Sequence, residues 1–435
     1  MIAAMIKPGT IVTIAGTGEA GYAGDGGAAA AACLNEPKSI ASDGAGCLYI
    51  ADSENHVIRK MDLATGIIST VAGNGAGSLP TEMDQSRSGG LAPFFLAPVP
   101  LPESERGQAP PQTAEPVPRG PALGRADDDP LGGPAQSMPE KFAQLGDLSG
   151  TARFVVWAVP KAGRFQGDGG AALEATLNFP SAVAVDGKGN LYIADTMNHR
   201  VRRVDAATGV ITTLAGTGQH RCSGDGGPAI AAALNEPSAL VVDDHRGCLY
   251  IADQSNNRVR RVDLASGIIT TLAGTGQAAY TGDGVPATEA GLAGPSGLAL
   301  SADGRLYIAD TFNGRIRAVD LESGLISTVA GDGGEYRYQG LPNEFSTSLS
   351  RPYGIALDRE GHILVTDSDS HLIRRWDRRK KIITLVAGNG RAWFGGDGGG
   401  PRESSLNYPF GVAVDQQGHV YIADTFNHRI RVIVA

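Results

Sequence analysis

Several absences narrow this chain before any motif is read. No apolar run approaches the ~18 residues that a membrane-spanning helix requires, and the apolar start, Met1 to Ile6, is cut short by Lys7, too soon for a signal-peptide core. As written, the protein is expected to be cytoplasmic, or exported if its beginning is clipped from a longer precursor. Cysteine is scarce: Cys33, Cys47, Cys222 and Cys248 form no CxxC pair, which excludes a metal ribbon or disulfide framework and leaves free thiols. Positive charge is in deficit, with 37 Lys and Arg against 46 Asp and Glu, a net charge of -9. A surface built on neutralised phosphates is therefore disfavoured, and RNA binding ranks third among the functions considered. HExxH, GxSxG and the Walker lysine pattern are also missing, which removes common hydrolase and nucleotide signatures. Gly16-Thr17-Gly18-Glu19-Ala20-Gly21 does match GxGxxG, but no βαβ unit follows and it reads as a loop.

What is present is glycine, 61 residues of it, and a repeat. A block close to Tyr-Ile-Ala-Asp ends at Asp52, Asp195, Asp253, Asp310, Asp367 and Asp424, and every step after the first is 57 or 58 residues. A fixed period means each copy buries its apolar face only against its neighbours, so an array is expected before any site is considered. The copy from Leu177 to Gly216 divides into four short strands rich in Val, Ile, Leu, Thr and Tyr, here called a, b, c and d: Ala182–Val185, Leu191–Ala194, Arg200–Val204 and Val210–Leu214. Matching copies begin at Leu34, Leu234, Leu292, Leu349 and Leu406. The last stops after strand c, and its missing strand d lies at the other end of the chain, in Gly9–Gly16. That arrangement predicts a closed all-β ring: a six-bladed β-propeller of four-stranded antiparallel blades, with the N-terminal strand d completing the C-terminal blade. Such a ring is expected to be a monomer.

The segments YIADTMNHRVRRVD and YIADTFNHRIRVI, together with GDGGPA and ITTLAGTG, resemble NHL repeats of the bacterial type. The resemblance implies a β-propeller, usually of six blades. Roles in that family range from protein or RNA binding to extracellular sensing, and related propellers include amidating lyases and lactonases.

Only the step from Asp52 to Asp195, 143 residues, breaks the period, and 14 of the 25 prolines fall between residues 76 and 160. Proline at that density opposes regular ladders. The chain is accordingly divided into residues 1–75 (closing strand and blade 1), a proline-rich insert at 76–160, and residues 161–435 (blades 2–6). A degenerate seventh blade is the alternative; Phe154–Val159 stands in strand-d register, but no strand a precedes it.

Strand order places the b–c turns and d–a loops on one face, where a ligand surface is expected. The leading function is a non-catalytic binding or scaffold propeller for a protein, peptide or glycan. Its anchors are expected where the d–a loops depart from the repeat: Tyr22, His220, Arg221, Tyr280, Tyr336, Tyr338, Trp393 and Phe394. The opposing reading folds these aromatics back over their own blades. The enzymatic alternative is a metal-dependent lyase or lactonase, although the inner strands SIAS, AVAV, ALVV, GLAL, GIAL and GVAV offer no ligands. No cofactor is expected; zinc or calcium is the alternative, as calcium at the Asp-Gly-Gly runs or as a metal on His56, His199, His371 and His428, which share one repeat position. The bland reading has each ring bond a neighbouring backbone, since successive blades hold these positions on the order of 10 Å apart while metal ligands sit within about 2 Å. The six aspartates are expected to hold b–c turns or to pair with strand-c arginines, and Asn35, Asn178, Asn235 and Asn407 to act as turn caps; Gly-Asp-Gly loops lie around Asp25, Asp168, Asp225, Asp283 and Asp397, and Asp-Gly-Gly followed by alanines, as at Asp225–Leu234, is expected to lead into an N-capped short helix.

Overall fold

The computed structural model describes residues 6–76, 78–79, 163–333 and 348–435, all within one compact unit. Six antiparallel sheets are arranged as blades of four strands, and in blade 4 Val285–Pro286 adds a short fifth strand along strand d. Blade 1 is Pro37–Ser42, Cys47–Asp52, Val57–Asp62 and Ile68–Ala72, and blade 2 is Pro180–Val185, Leu191–Asp195, Arg200–Val204 and Ile211–Ala215. Blade 3 is Pro237–Asp243, Cys248–Asp253, Arg258–Asp263 and Ile269–Ala273; blade 4 is Pro295–Leu300, Arg305–Asp310, Arg315–Asp320 and Leu325–Ala330. Blade 5 is Pro352–Leu357, Ile363–Asp367, Leu372–Asp377 and Ile382–Ala387. Blade 6 is Pro409–Val414, Val420–Asp424 and Arg429–Ile433, completed by Ile11–Ala15, which pairs antiparallel with strand c from Ile11–Ile433 onward.

The ring closes with six blades because every strand a packs against strand a of the next blade, including blade 6 against blade 1 and blade 1 directly against blade 2. Six hydrophobic clusters match the six seams, with Tyr49, Ile58 and Ala72 of blade 1 meeting Val183, Leu191 and Ile193 of blade 2. Strand b is buried on both faces by its two neighbours, so it reads as an unbroken apolar run and not as an alternation. Glycine is needed where strands a come closest: a Cβ on Gly297, Gly354 or Gly411 would meet the backbone carbonyl of Tyr353, Phe410 or Lys38 in the adjacent blade. The proline-rich segment departs and returns at one place, where Ser78–Leu79 pairs in parallel with Gly163–Arg164, and most of it lies outside the described residues.

The Asp-Gly-Gly runs do something other than cap helices. The following 3-10 turn is three residues long, as at Ala29–Ala31, with Ala28 before it and no side-chain cap. The glycine backbone is used instead to cover the open edge of strand d: Gly26 N–H donates to Ile68 O at 2.8 Å and Gly27 O accepts from Ile68 N–H at 3.0 Å. The same pairing recurs at Ile211, Ile269 and Ile11. Among the described residues no helix is long and apolar enough to cross a membrane.

Candidate functional site

The invariant aspartate at the end of strand b is fully buried, and its carboxylate is shared three ways. In blade 1, Asp52 Oδ1 accepts Asn35 N–H at 2.7 Å, while Oδ2 accepts Asn55 Nδ2 at 2.8 Å and Arg59 Nη1 at 3.4 Å. The main-chain donor comes from the segment before strand a and not from the b–c turn itself. Arg59, also fully buried, turns its other nitrogen to Asp25 of the Asp-Gly-Gly loop at 2.8 Å. This Asp–Arg–Asp chain recurs at Arg202, Arg260, Arg317 and Arg431, in each case joining the d–a loop to the b–c turn of its blade. Burial pushes Asp52, Asp253 and Asp424 up to about 6, against the opposing hydrogen bonds and arginine charge.

The repeat histidines join blades. Each ends a 3-10 turn in left-handed conformation, at φ 57° for His56, and its Nδ1 accepts a backbone N–H from the following blade. His56 takes Phe179 at 3.1 Å, His199 takes Glu236 at 3.2 Å, His371 takes Tyr408 at 3.1 Å and His428 takes Glu36 at 3.1 Å; Asn257 serves Gly294 at 2.9 Å. An accepting Nδ1 must be unprotonated, and burial accordingly lowers His56, His199 and His371 to about 4. Among the described residues no group of three or more His, Cys, Asp or Glu is arranged to hold a metal ion. Hydroxyls form a further band between blades: Ser53, Thr196, Thr311, Ser368 and Thr425 each donate to the carbonyl of the next blade's first strand-a proline, at 2.6–2.8 Å.

These constant residues present a variable pair in every blade. One member sits just before the strand-a proline; the other is the second residue of the b–c turn. A backbone bond sets them side by side in five blades, as from Glu54 N–H to Asn35 O at 3.2 Å. The pairs are Glu36 and Glu54, Phe179 and Met197, Glu236 and Ser255, Gly294 and Phe312, Arg351 and Asp369, and Tyr408 and Phe426. Strand a is innermost and begins on this face, so the six pairs encircle the mouth of the central channel. Glu36, Phe179, Glu236 and Tyr408 all have φ between 47° and 53°, a left-handed state that costs a non-glycine residue about 1–2 kcal/mol. The constant Asp and His bonds to two successive amides hold that conformation. In blade 5 the preceding blade offers Gly314 at the histidine position, with no side chain to accept a bond; the Arg351 N–H goes to Asp367 Oδ1 at 3.4 Å, and Arg351 is the non-glycine member of the set without positive φ.

Around the mouth the chemistry is uneven. Rings gather on blades 5 and 6, with Tyr353–Phe410 at 4.6 Å, Tyr408–Phe426 at 5.1 Å and Phe410–Phe426 at 5.9 Å between centroids. Phe312, 54% exposed, stands beside them with the Arg351 guanidinium 5.4 Å from its centroid. Tyr353 reaches across to Gln254 of blade 3, and burial pushes its phenol up to about 12. Blade 1, next to blade 6 in the ring, carries Glu36, Glu54 and Lys38.

Of the anchors expected from the d–a loops, Tyr22, Tyr280 and Phe394 lie back over their own blades. Tyr280 and Phe394 stack on Arg315 and Arg429 at 3.7 Å, and Tyr22 lies 5.2 Å from Arg59 with its hydroxyl 2.8 Å from Thr70 Oγ1. His220 is exposed beside His199, 5.8 Å between rings, and Arg221 is exposed with its carbonyl bonded by Asn256. Trp393 is 62% exposed, its carbonyl held by Asn427 next to Phe426. Tyr336 and Tyr338 lie outside the described residues. The mouth pairs were missed by sequence reasoning, although a signal existed: in LNEP, LNFP, LNEP, LAGP, LSRP and LNYP the leucine and proline are constant and the residue before the proline varies most.

A family model of the Teneurin NHL domain matches residues 11–84, 157–223 and 275–346, and a model of the NHL repeat matches residues 349–376 and 406–433. Protein SUPPRESSOR OF QUENCHING 1, chloroplastic, of Arabidopsis thaliana is 32% identical over 270 residues, 60% of this chain and 25% of that protein. NHL repeat-containing protein 2 of Homo sapiens is 30% identical over 312 residues, 68% of this chain and 40% of that protein. The chain therefore spans well under half the length of either relative. Among solved structures, an auxiliary nutrient binding protein of Bacteroides thetaiotaomicron superimposes with a TM-score of 0.56 at 14% identity, over 97% of this chain and 75% of that one. That likeness is one of fold.

Proposed function

Because the chain belongs to the NHL-repeat β-propellers, whose blades repeat one scaffold, we propose that it is a binding propeller that takes a peptide or protein segment across the channel mouth, on the face of the b–c turns and d–a loops. The observation that carries this reading is the contrast between constant and variable positions. Asp, Asn, Arg and His repeat with the same bonds in blade after blade, while the six pairs they present differ in every blade. A surface whose chemistry changes around a rigid ring suits an extended, asymmetric ligand. Its aromatic sector offers flat apolar area at small entropic cost, beside hydrogen-bonding carboxylates at the rim.

The test is binding to peptide and glycan arrays by the parent protein, by Tyr408→Ala/Phe426→Ala and by Phe312→Ala, with thermal melts to confirm folding. Peptide ligands weakened about tenfold or more by the mouth variants are expected, which corresponds to ~1.4 kcal/mol. Ligands that bind all three proteins equally would refute the mouth as the site, and hits confined to glycans would refute the ligand class.

A further inference from the structure

Among the described residues, blades 1, 2, 4 and 6 fill with a ring a position that blade 3 leaves empty. Three residues before the aspartate of each Gly-Asp-Gly loop stand Tyr22, Phe165, Tyr280 and Phe394, and in blade 3 the residue there is Cys222. The rings lie on strand-c arginines: Phe165 is 4.0 Å from Arg200, and Tyr280 and Phe394 are 3.7 Å from Arg315 and Arg429. A tyrosine also uses its hydroxyl. That of Tyr280 is 3.2 Å from both Asp283 Oδ2 and Thr328 Oγ1, and that of Tyr22 is 3.3 Å from Asp25 Oδ2 and 2.8 Å from Thr70 Oγ1.

Blade 3 keeps the cradle and lacks the ring. Arg258 is held as Arg315 is, each donating from Nη2 to a carbonyl of the following loop, Thr275 O and Asp332 O, at 2.7 Å. Arg260 pairs with Asp225 at 2.8 Å, and Thr271 Oγ1 donates to Asp225 Oδ2 at 2.6 Å. The Cys222 sulfur reaches no farther than Arg260 Nη1, at 3.7 Å. A cavity of about 580 Å³ is lined here by Asp225, Arg258, Thr271, Gly274 and Thr275. The first three correspond to Asp283, Arg315 and Thr328 around Tyr280. With no ring over it, the Asp225 side chain is 50% exposed, against 34–42% for its four counterparts beneath rings.

We propose that this cavity is a docking site for a tyrosine side chain of a partner protein, its ring on Arg258 and its hydroxyl donating to Asp225, as Tyr280 does within blade 4. The site is built on strand d, the outermost strand, so it stands apart from the channel mouth and does not rest on the mouth reading. The cradle selects the ligand. A guanidinium favours an aromatic face, and the carboxylate and threonine favour a phenol over a plain phenyl ring. The protein's own rings enter their cradles on a polypeptide loop, which is the geometry of a side chain on a main chain. Tyrosine is also a residue type that anchors interfaces.

Titration of deuterated, 15N-labelled protein with N-acetyltyrosinamide, followed at the amides of Gly274 and Thr275, tests the proposal. Saturable shifts are expected there, several-fold weaker binding of N-acetylphenylalaninamide, and no saturation with N-acetylleucinamide. Arg258→Ala should lose about tenfold or more. Cys222→Tyr should fill the cavity from within, abolishing the probe's shifts at Gly274 and Thr275 and raising the melting temperature by a few degrees. Tyr280→Cys should open the matching site in blade 4, adding saturable shifts at Gly331 and Asp332 that the parent lacks. The proposal is overturned by an absence of saturable shifts in the parent, by equal affinity for the leucine analogue, or by a Cys222→Tyr variant that still binds the probe or melts below the parent. Shifts confined to Tyr408 and Phe426 would overturn it too, while leaving the mouth as a binding surface.

Discussion

At the scale of the residue, the motif that repeats is a device for holding backbone. Asp52 takes one amide of the segment before strand a, and a histidine from the preceding blade takes the next, so that a glutamate, phenylalanine or tyrosine is kept left-handed at the mouth. Blade 3 shows that histidine is replaceable, since Asn257 Oδ1 accepts the same bond for Gly294 at 2.9 Å and is itself at φ 51°. His56→Asn should therefore cost less than about 1.5 kcal/mol at pH 8, a loss of ring packing on Phe179 more than of the bond. Acid should reverse the order. A histidine held near 4 when folded and near 6.5 when unfolded costs the parent stability as pH falls through that window, up to about 3 kcal/mol, and asparagine escapes that loss. The buried aspartates, raised toward 6, have the opposite sign and gain stability over much of the same window, so the measurement is the difference between variant and parent in denaturant titrations from pH 8 to pH 4. A difference that does not move with pH would show that the Nδ1 bond is not what the position contributes.

At the scale of the element, strand boundaries were readable almost to the residue from runs such as LYIAD and ITTLA, because β-branched and aromatic residues end abruptly at Asp and Gly turns. The Asp-Gly-Gly runs were misjudged. Their composition resembles a capped helix, but the aspartate is drawn to a buried arginine and the glycines to the edge of strand d, both distant in sequence. Strand d of blade 6 matters most, as Ile11–Ala15 covers strand c of that blade and is itself covered by Gly398 and Gly399. Deleting residues 1–15 should leave Arg429–Ile433 as an open edge, lowering the melting temperature by on the order of 10 °C and promoting association visible by light scattering. A monomeric variant with an unchanged melt would contradict the closing role of that strand.

At the scale of the whole molecule, the ring places the chain's two ends side by side: Gly9 N–H donates to Val434 O at 2.8 Å and Val434 N–H to Thr10 O at 3.1 Å. Joining them through a short linker, and opening the chain instead between residues 76 and 163 with the proline-rich segment removed, should leave six blades intact, with a melting temperature within a few degrees of the parent. Loss of cooperative unfolding in this permutant would mean that the removed segment supports the ring. The sequence alone determined the repeat, the four strands of each blade, their number and the closure, because these follow from local periodicity and from a strand d displaced to the opposite end of the chain. The site was beyond it. Which side chains share the mouth depends on ring closure, which brings Glu36 against His428 and sets Tyr353 across from Gln254. Residues hundreds of positions apart become neighbours there, as Glu36 and His428 do, and only tertiary packing decides which of them share the rim.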